Sequence, residues 1–163
     1  MKKSKFSLNR KDQAMVELME KTDHKTLARW AIDCAERVLP HFEQKYPQDH
    51  RPRQALETLQ SWIDTGEFKM AVIRGASLAS HAAAREVGED NPARSAARSA
   101  GQAVATAHVR THAPGAALYA QQAIHRAAID EDADSAVTRE RDWQYQHLLH
   151  LKKKPGFSEK PGF

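Results

Sequence analysis

Ala71-Val72-Ile73-Arg74-Gly75-Ala76 opens, and Ile124-His125-Arg126-Ala127-Ala128 closes, the stretch whose reading decides the fold. Twenty of its 58 residues are alanine. Alanine is the best helix former because it has no side-chain rotamers to lose. Tyr119 is the one aromatic residue, and the large aliphatics other than valine are Ile73, Leu78, Leu118 and Ile124. Pro92 and Pro114 divide the stretch into three consecutive helices. Small side chains let helix axes approach at the short end of the usual range of about 8–10 Å. The expectation is a tightly packed helical centre, wrapped by the aromatic-rich segments on either side.

Working outward, the same periodicity recurs. Lys11 to Glu20 carries enough apolar residues for a short helix. Thr22-Asp23 gives an N-cap signal, after which Leu27, Trp30, Ala31, Cys34, Val38 and Phe42 recur at spacings of three and four. Pro40 lies inside that pattern, where it removes a donor and clashes one turn back. Because the period continues to Tyr46, a kink is favoured over a restart. Arg51-Pro52 opens a helix with the stripe Leu56, Leu59, Trp62 and Ile63, and Gly66 ends it. In the alanine-rich stretch, helices are expected over Phe68–Val87, from Asn91-Pro92 to about His112, and from Pro114 to Ala127. Gly101 inside the second of these costs about 1 kcal/mol against alanine, which a close helix crossing would justify. Asp130-Glu131-Asp132 reads as an acidic turn, with Asp134 able to cap a last helix reaching Leu151. No segment alternates as a strand would. The fold class is therefore all-α: a compact single-domain bundle of six to seven helices with an alanine-rich core. Its expected limits are residues 11–151, between a flexible basic N-terminus (1–10) and a flexible tail (152–163). That tail repeats Lys-Pro-Gly-Phe at Lys154–Phe157 and Lys160–Phe163.

The net charge is +4 and the isoelectric point about 9.3. Residues 1–10 hold +4 and residues 152–163 hold +3, which leaves −3 on residues 11–151. The basicity belongs to the ends, so it argues weakly for nucleic acid. No apolar run approaches the roughly 20 residues of a membrane span. No apolar segment follows Lys2, Lys3 and Lys5, so no secretory signal is expected. One cysteine, Cys34, excludes an internal disulfide, and a reducing cytoplasm is the expected location. Cys34 sits on an apolar stripe and reads as packed rather than nucleophilic.

Three polar groups stand out. Asp33, Glu36 and Arg37 cluster beside Trp30, with Asp33 and Arg37 spaced for an i, i+4 pair; they read as a solvated face or a charged recognition patch. His81 and Arg85 rise one turn apart from an alanine-rich helix and must reach a neighbouring helix or a partner. His108 and His112 could face one metal, but Val109 stands where the zinc-protease pattern needs Glu, and no third ligand is indicated. No phosphate loop, paired catalytic carboxylates or other catalytic constellation is present. No cofactor or metal is expected.

Trp30-Ala31-Ile32-Asp33-Cys34-Ala35-Glu36-Arg37-Val38-Leu39-Pro40-His41-Phe42-Glu43 resembles the immunity-protein five-like family of bacterial immunity proteins. Further blocks carry the resemblance: Asp49–Ala55, Ala82-Ala83-Ala84-Arg85, and Ala96 through Val109. The likeness covers roughly residues 23–128. The resemblance implies an all-α, non-enzymatic cytoplasmic protein encoded beside a polymorphic toxin, which it binds and neutralises by occlusion. The family supplies no catalytic motif to carry over. The expected partner contacts are Asp33, Glu36, Arg37, Arg53, His81 and Arg85. The alternatives are a nucleic-acid-binding domain using Arg74, Arg85, Arg94 and Arg98, and a metal-dependent helical enzyme using His81, His108 and His112.

Overall fold

One helix, α6 (Pro92–Ala105), touches most of the others, and its composition explains why. The computed structural model describes residues 3–8, 12–129 and 132–153. The repeated tail from Lys154 onward lies outside them, as do Asp130 and Glu131 of the expected acidic turn. The elements are α1 (Gln13–Glu20), α2 (His24–Glu36), α3 (Pro40–Glu43), α4 (Arg51–Thr65), α5 (Met70–Glu86), α6, α7 (Ala113–Ala127) and α8 (Ala133–Lys153). A 3-10 turn, Arg110–His112, precedes α7. Among the described residues the fold is all-helical, with seven helices of at least seven residues and the short α3.

Ala93, Ser95, Ala96, Ala97, Ser99, Ala100, Gly101, Ala103 and Val104 of α6 are all buried. Only small side chains allow a helix to be covered on nearly every side, and here α2, α3, α4, α5 and α7 cover it. Serine hydroxyls then reach across to facing backbones. Ser80 Oγ donates to Ala97 O at 2.7 Å, Ser77 Oγ to Gly101 O at 2.9 Å, and Ser99 Oγ to Ala116 O at 2.7 Å. The second buried axis is α2, with Trp30, Ala31, Cys34 and Ala35 at 0% exposure. So α2 belongs to the centre rather than to a wrapping layer. In exchange α5, though alanine-rich, lies outermost, with Ala71, Gly75, Leu78 and Arg85 exposed.

Caps follow the sequence signals. The side chains of Asp23 and Asn91 accept from Thr26 N and Arg94 N, and Gly66 ends α4 in the left-handed region at φ 71°. Three local expectations are corrected. First, α2 stops at Glu36 and α3 restarts at Pro40, so the chain breaks where a kink was favoured. Pro40 has no N–H to continue the ladder, although Arg37 and Leu39 keep right-handed helical dihedrals. Second, α6 ends at Ala105 rather than near His112. Arg110 reaches back from the following turn to Met19 O at 2.8 Å and Thr22 O at 2.6 Å, and so holds the chain out of the helical path. Third, α8 starts at Ala133, which puts Asp134 in the first turn, where it accepts from Ser4 Oγ at 2.5 Å.

Gly101 has the reason the sequence asked for. A Cβ there would lie 2.7 Å from His81 Nε2 and 2.9 Å from two ring carbons. Gly101→Ala should therefore destabilise the protein by about 1–3 kcal/mol through overpacking. In a His81→Ala background the same change should stabilise by about 1 kcal/mol, the helix-propensity gain alone. Urea unfolding of the four proteins reads this cycle; equal effects in both backgrounds would refute the contact as the reason for the glycine.

Candidate functional site

The six expected contact residues fall into three places. Glu36 and Arg53 belong to the end of the bundle where α2, α5 and α7 stop and α4 and α6 start. Asp33 and Arg37 face α8. His81 and Arg85 lie on α5.

The first place is a mosaic of ion pairs. Arg53 holds Glu43 with two bonds, Nη2–Oε1 at 2.7 Å and Nε–Oε2 at 3.2 Å, and reaches Glu36 at 3.3 Å. Arg51 grips Asp49 through Nε at 2.9 Å and Nη2 at 2.7 Å, and also pairs with Glu86. Lys45–Glu89, Arg94–Asp90 and Arg126–Asp90 extend the pattern across α5, α6 and α7. The Arg51 guanidinium, bonded to its carboxylate, holds Asp49 below the usual carboxylate range against the opposing effect of burial. Bidentate arginines fix their own geometry, so these half-exposed charges present a defined surface.

In the second place the expected Asp33–Arg37 pair does not form. Asp33 bonds Arg29 at 3.3 Å and His147 Nε2 at 2.7 Å. Arg37 turns to Glu140, Nε–Oε1 2.6 Å and Nε–Oε2 3.0 Å, and lies 3.8 Å above the Trp143 ring. The physical reason is burial. The Glu140 side chain is 3% exposed and needs a cation, and Arg37 already lies beyond the last residue of α2. His147 stacks on Trp143 with centroids 4.6 Å apart and planes 16° apart. The result is a continuous seam of charge and aromatic faces between α2 and α8.

In the third place Arg98 Nη1 donates to His81 Nδ1 at 2.9 Å. Burial, then the charges of Arg98 and Arg85, push the His81 imidazole down to about 4, so it is neutral at pH 7. Arg85 is exposed and forms no salt bridge among the described residues. His112 bonds Gln102 Oε1 at 3.0 Å, whereas His108 stacks on Phe68 with centroids 6.3 Å apart. Because α6 ends early, His108 and His112 do not share a helix face. Among the described residues no three histidine, cysteine or acidic side chains gather as a metal site. Of the four arginines of the nucleic-acid reading, Arg94 is bonded to Ala84 O and Asp90 and Arg98 to His81, leaving Arg74 and Arg85 exposed. Cys34 is fully buried, and burial pushes its thiol well above the ordinary value. No helix among the described residues is long and apolar enough to cross a membrane.

A fourth feature escaped the sequence reading. Between α1, α7 and α8 lies a cleft of about 870 Å³, with Met15, Met19, Trp30 and Leu118 among its walls and Gln121 and Gln144 in its lining. Trp30 Nε1 donates to Gln144 O at 2.8 Å, Gln144 Nε2 to Ala117 O at 3.1 Å, and Gln121 Nε2 to Gln144 Oε1 at 2.8 Å. One signal could have revealed it: glutamines at positions 121 and 144 interrupt the apolar faces of their helices.

Comparison with known families gives one match. The family model described as Imm-5 like putative immunity protein covers residues 17–151 of the 163. No curated protein and no solved structure matches.

The seam makes a direct prediction. Arg37→Ala leaves the buried Glu140 without its cation and, since Arg37 itself is 41% exposed, should destabilise the fold by about 1–3 kcal/mol. Adding Glu140→Gln should recover part of that loss. Urea unfolding measures both, and a loss below about 1 kcal/mol for Arg37→Ala, the range of an exposed pair, would show that the pair carries little.

Proposed function

The chain belongs to the Imm-5 like immunity-protein family, and from that premise we propose that it binds a toxin protein and neutralises it by covering the toxin's working surface. The observation that carries this reading is the extent of the match, residues 17–151, which takes in every helix from α2 to α7, half of α1 and most of α8. Its action is binding, without catalysis, in the bacterial cytoplasm. The toxin is the product of a neighbouring gene in a polymorphic toxin system.

The contact surface we propose is the charged end of the bundle, with Glu36 and Arg53 at its centre and Arg85 beside it. Asp33 and Arg37 support it from behind through their bonds to α8. His81 backs Arg85 from the same helix. Two arguments favour this end. Arginine is enriched where partners anchor, while charges on a rim steer approach. The mutual ion pairs also hold the side chains in place before any partner arrives, which lowers the ordering cost of association.

Mixing the purified chain with the adjacent gene's toxin should give a stable complex and an inactive toxin. Arg53→Ala and Arg85→Glu should each weaken the complex about tenfold, or about 1.4 kcal/mol. Both should leave thermal unfolding nearly unchanged, since exposed charges contribute about 0–1 kcal/mol. A toxin that stays fully active in excess of this chain would contradict the function. A complex formed with undiminished affinity by both variants would place the contact elsewhere.

A further inference from the structure

The cleft between α1, α7 and α8 plays no part in the proposed toxin contact, and its chemistry is specific. Its volume of about 870 Å³ falls within the roughly 300–1,000 Å³ of sites that take a drug-sized molecule. The walls are apolar, and two of them are methionines, whose unbranched side chains adapt to irregular shapes. At its rim Arg141 Nη2 bonds Asp12 Oδ2 at 2.8 Å, so the charge there is already neutralised. Asp12 also caps α1, accepting from Met15 N at 3.3 Å.

Gln121 decides what the cleft would accept. Gln144 Nε2 donates to the Ala117 carbonyl, and only an amide nitrogen can do that. Gln144 therefore turns its oxygen to Gln121, whose nitrogen must supply the donor. This chain of bonds fixes the Gln121 amide without appeal to its placed orientation. Its carbonyl oxygen is the end left over. Gln121 is 6% exposed and lines the cleft, and its Oε1 accepts no hydrogen bond from any described residue. That oxygen opens onto the cleft, and a hydroxyl or N–H brought there would take the place of water as its donor.

We propose that the cleft binds a small neutral molecule with an apolar body and one hydroxyl or N–H group, which donates to Gln121 Oε1. The body packs between Met15, Val16, Met19 and Leu118. A charged molecule is disfavoured, because the one ion pair at the rim is already complete.

The test uses the full chain at pH 7 and two probes that share the naphthalene body, 2-naphthol with the donor and 2-methoxynaphthalene with that donor methylated, read by calorimetry and by amide chemical shifts. 2-Naphthol should bind saturably and shift amides of α1, α7 and α8. 2-Methoxynaphthalene should bind about three- to tenfold more weakly, the worth of one hydrogen bond. Gln121→Met should abolish the difference between the probes. Leu118→Trp, at a half-buried wall position, should block both. Equal affinity of the wild type for the two probes would overturn the proposal, as would no saturable binding of 2-naphthol or shifts confined to other helices. The wild-type comparison decides the matter even if Gln121→Met does not fold, and none of these outcomes bears on the toxin reading.

Discussion

The close approach of helices to α6 is the constraint on which the rest of the structure depends. A helix covered by α2, α3, α4, α5 and α7 must present a small surface to each of them. Alanine, serine and glycine provide that surface. Each buries little apolar area, so stability comes from many short contacts rather than a few large side chains. Serine adds what alanine cannot. At this separation its hydroxyl reaches a backbone carbonyl of the next helix, as Ser80, Ser77 and Ser99 do. The large side chains bolt neighbouring elements onto this centre: Trp30 to α8, Trp62 against His24, Phe42 against Tyr46.

Much of this was legible in the sequence because it is local. Asp23, Asn91 and Gly66 mark helix ends through bonds made within three or four residues, and Pro52 and Pro92 mark starts through the N–H they lack. Gly101 announced a close crossing because glycine is otherwise unfavourable inside a helix. What was not legible depends on residues far apart in the chain. Arg37 finds Glu140 and Asp33 finds His147, at separations of 103 and 114 residues. An i, i+4 rule describes isolated helices and cannot see a buried carboxylate on another one. The end of α6 was missed for the same reason: no glycine or proline stands between Gly101 and Pro114, and the turn is held by Arg110 reaching to α1 and the residues after it.

The candidate surfaces inherit their character from this centre. Because α6 and α2 occupy the interior, long side chains are displaced to the ends and seams of the bundle. There they pair with one another, as Arg53 does with Glu43 and Glu36, and Arg51 with Asp49 and Glu86. Arg94 and Arg98 mark the strip along which α6 does reach outward. This division separates the residues that fix the fold from the exposed charges of the proposed contact surface. The cleft under α1 is the exception. Its floor is Trp30 and Gln144, both 0% exposed, so its shape is tied to the centre rather than to the charged ends.

The most direct test of the account is native-state amide hydrogen exchange across the whole chain. If α6 is the structural centre, its amides from Ala96 to Val104 should exchange only through global unfolding and be the slowest in the protein, together with those of α2 from Ala31 to Ala35. The amides of α1 should exchange earlier, through local opening. Amides of α4 or α8 that outlast those of α6 would contradict the account, since the last structure to open would then lie outside the alanine-packed centre.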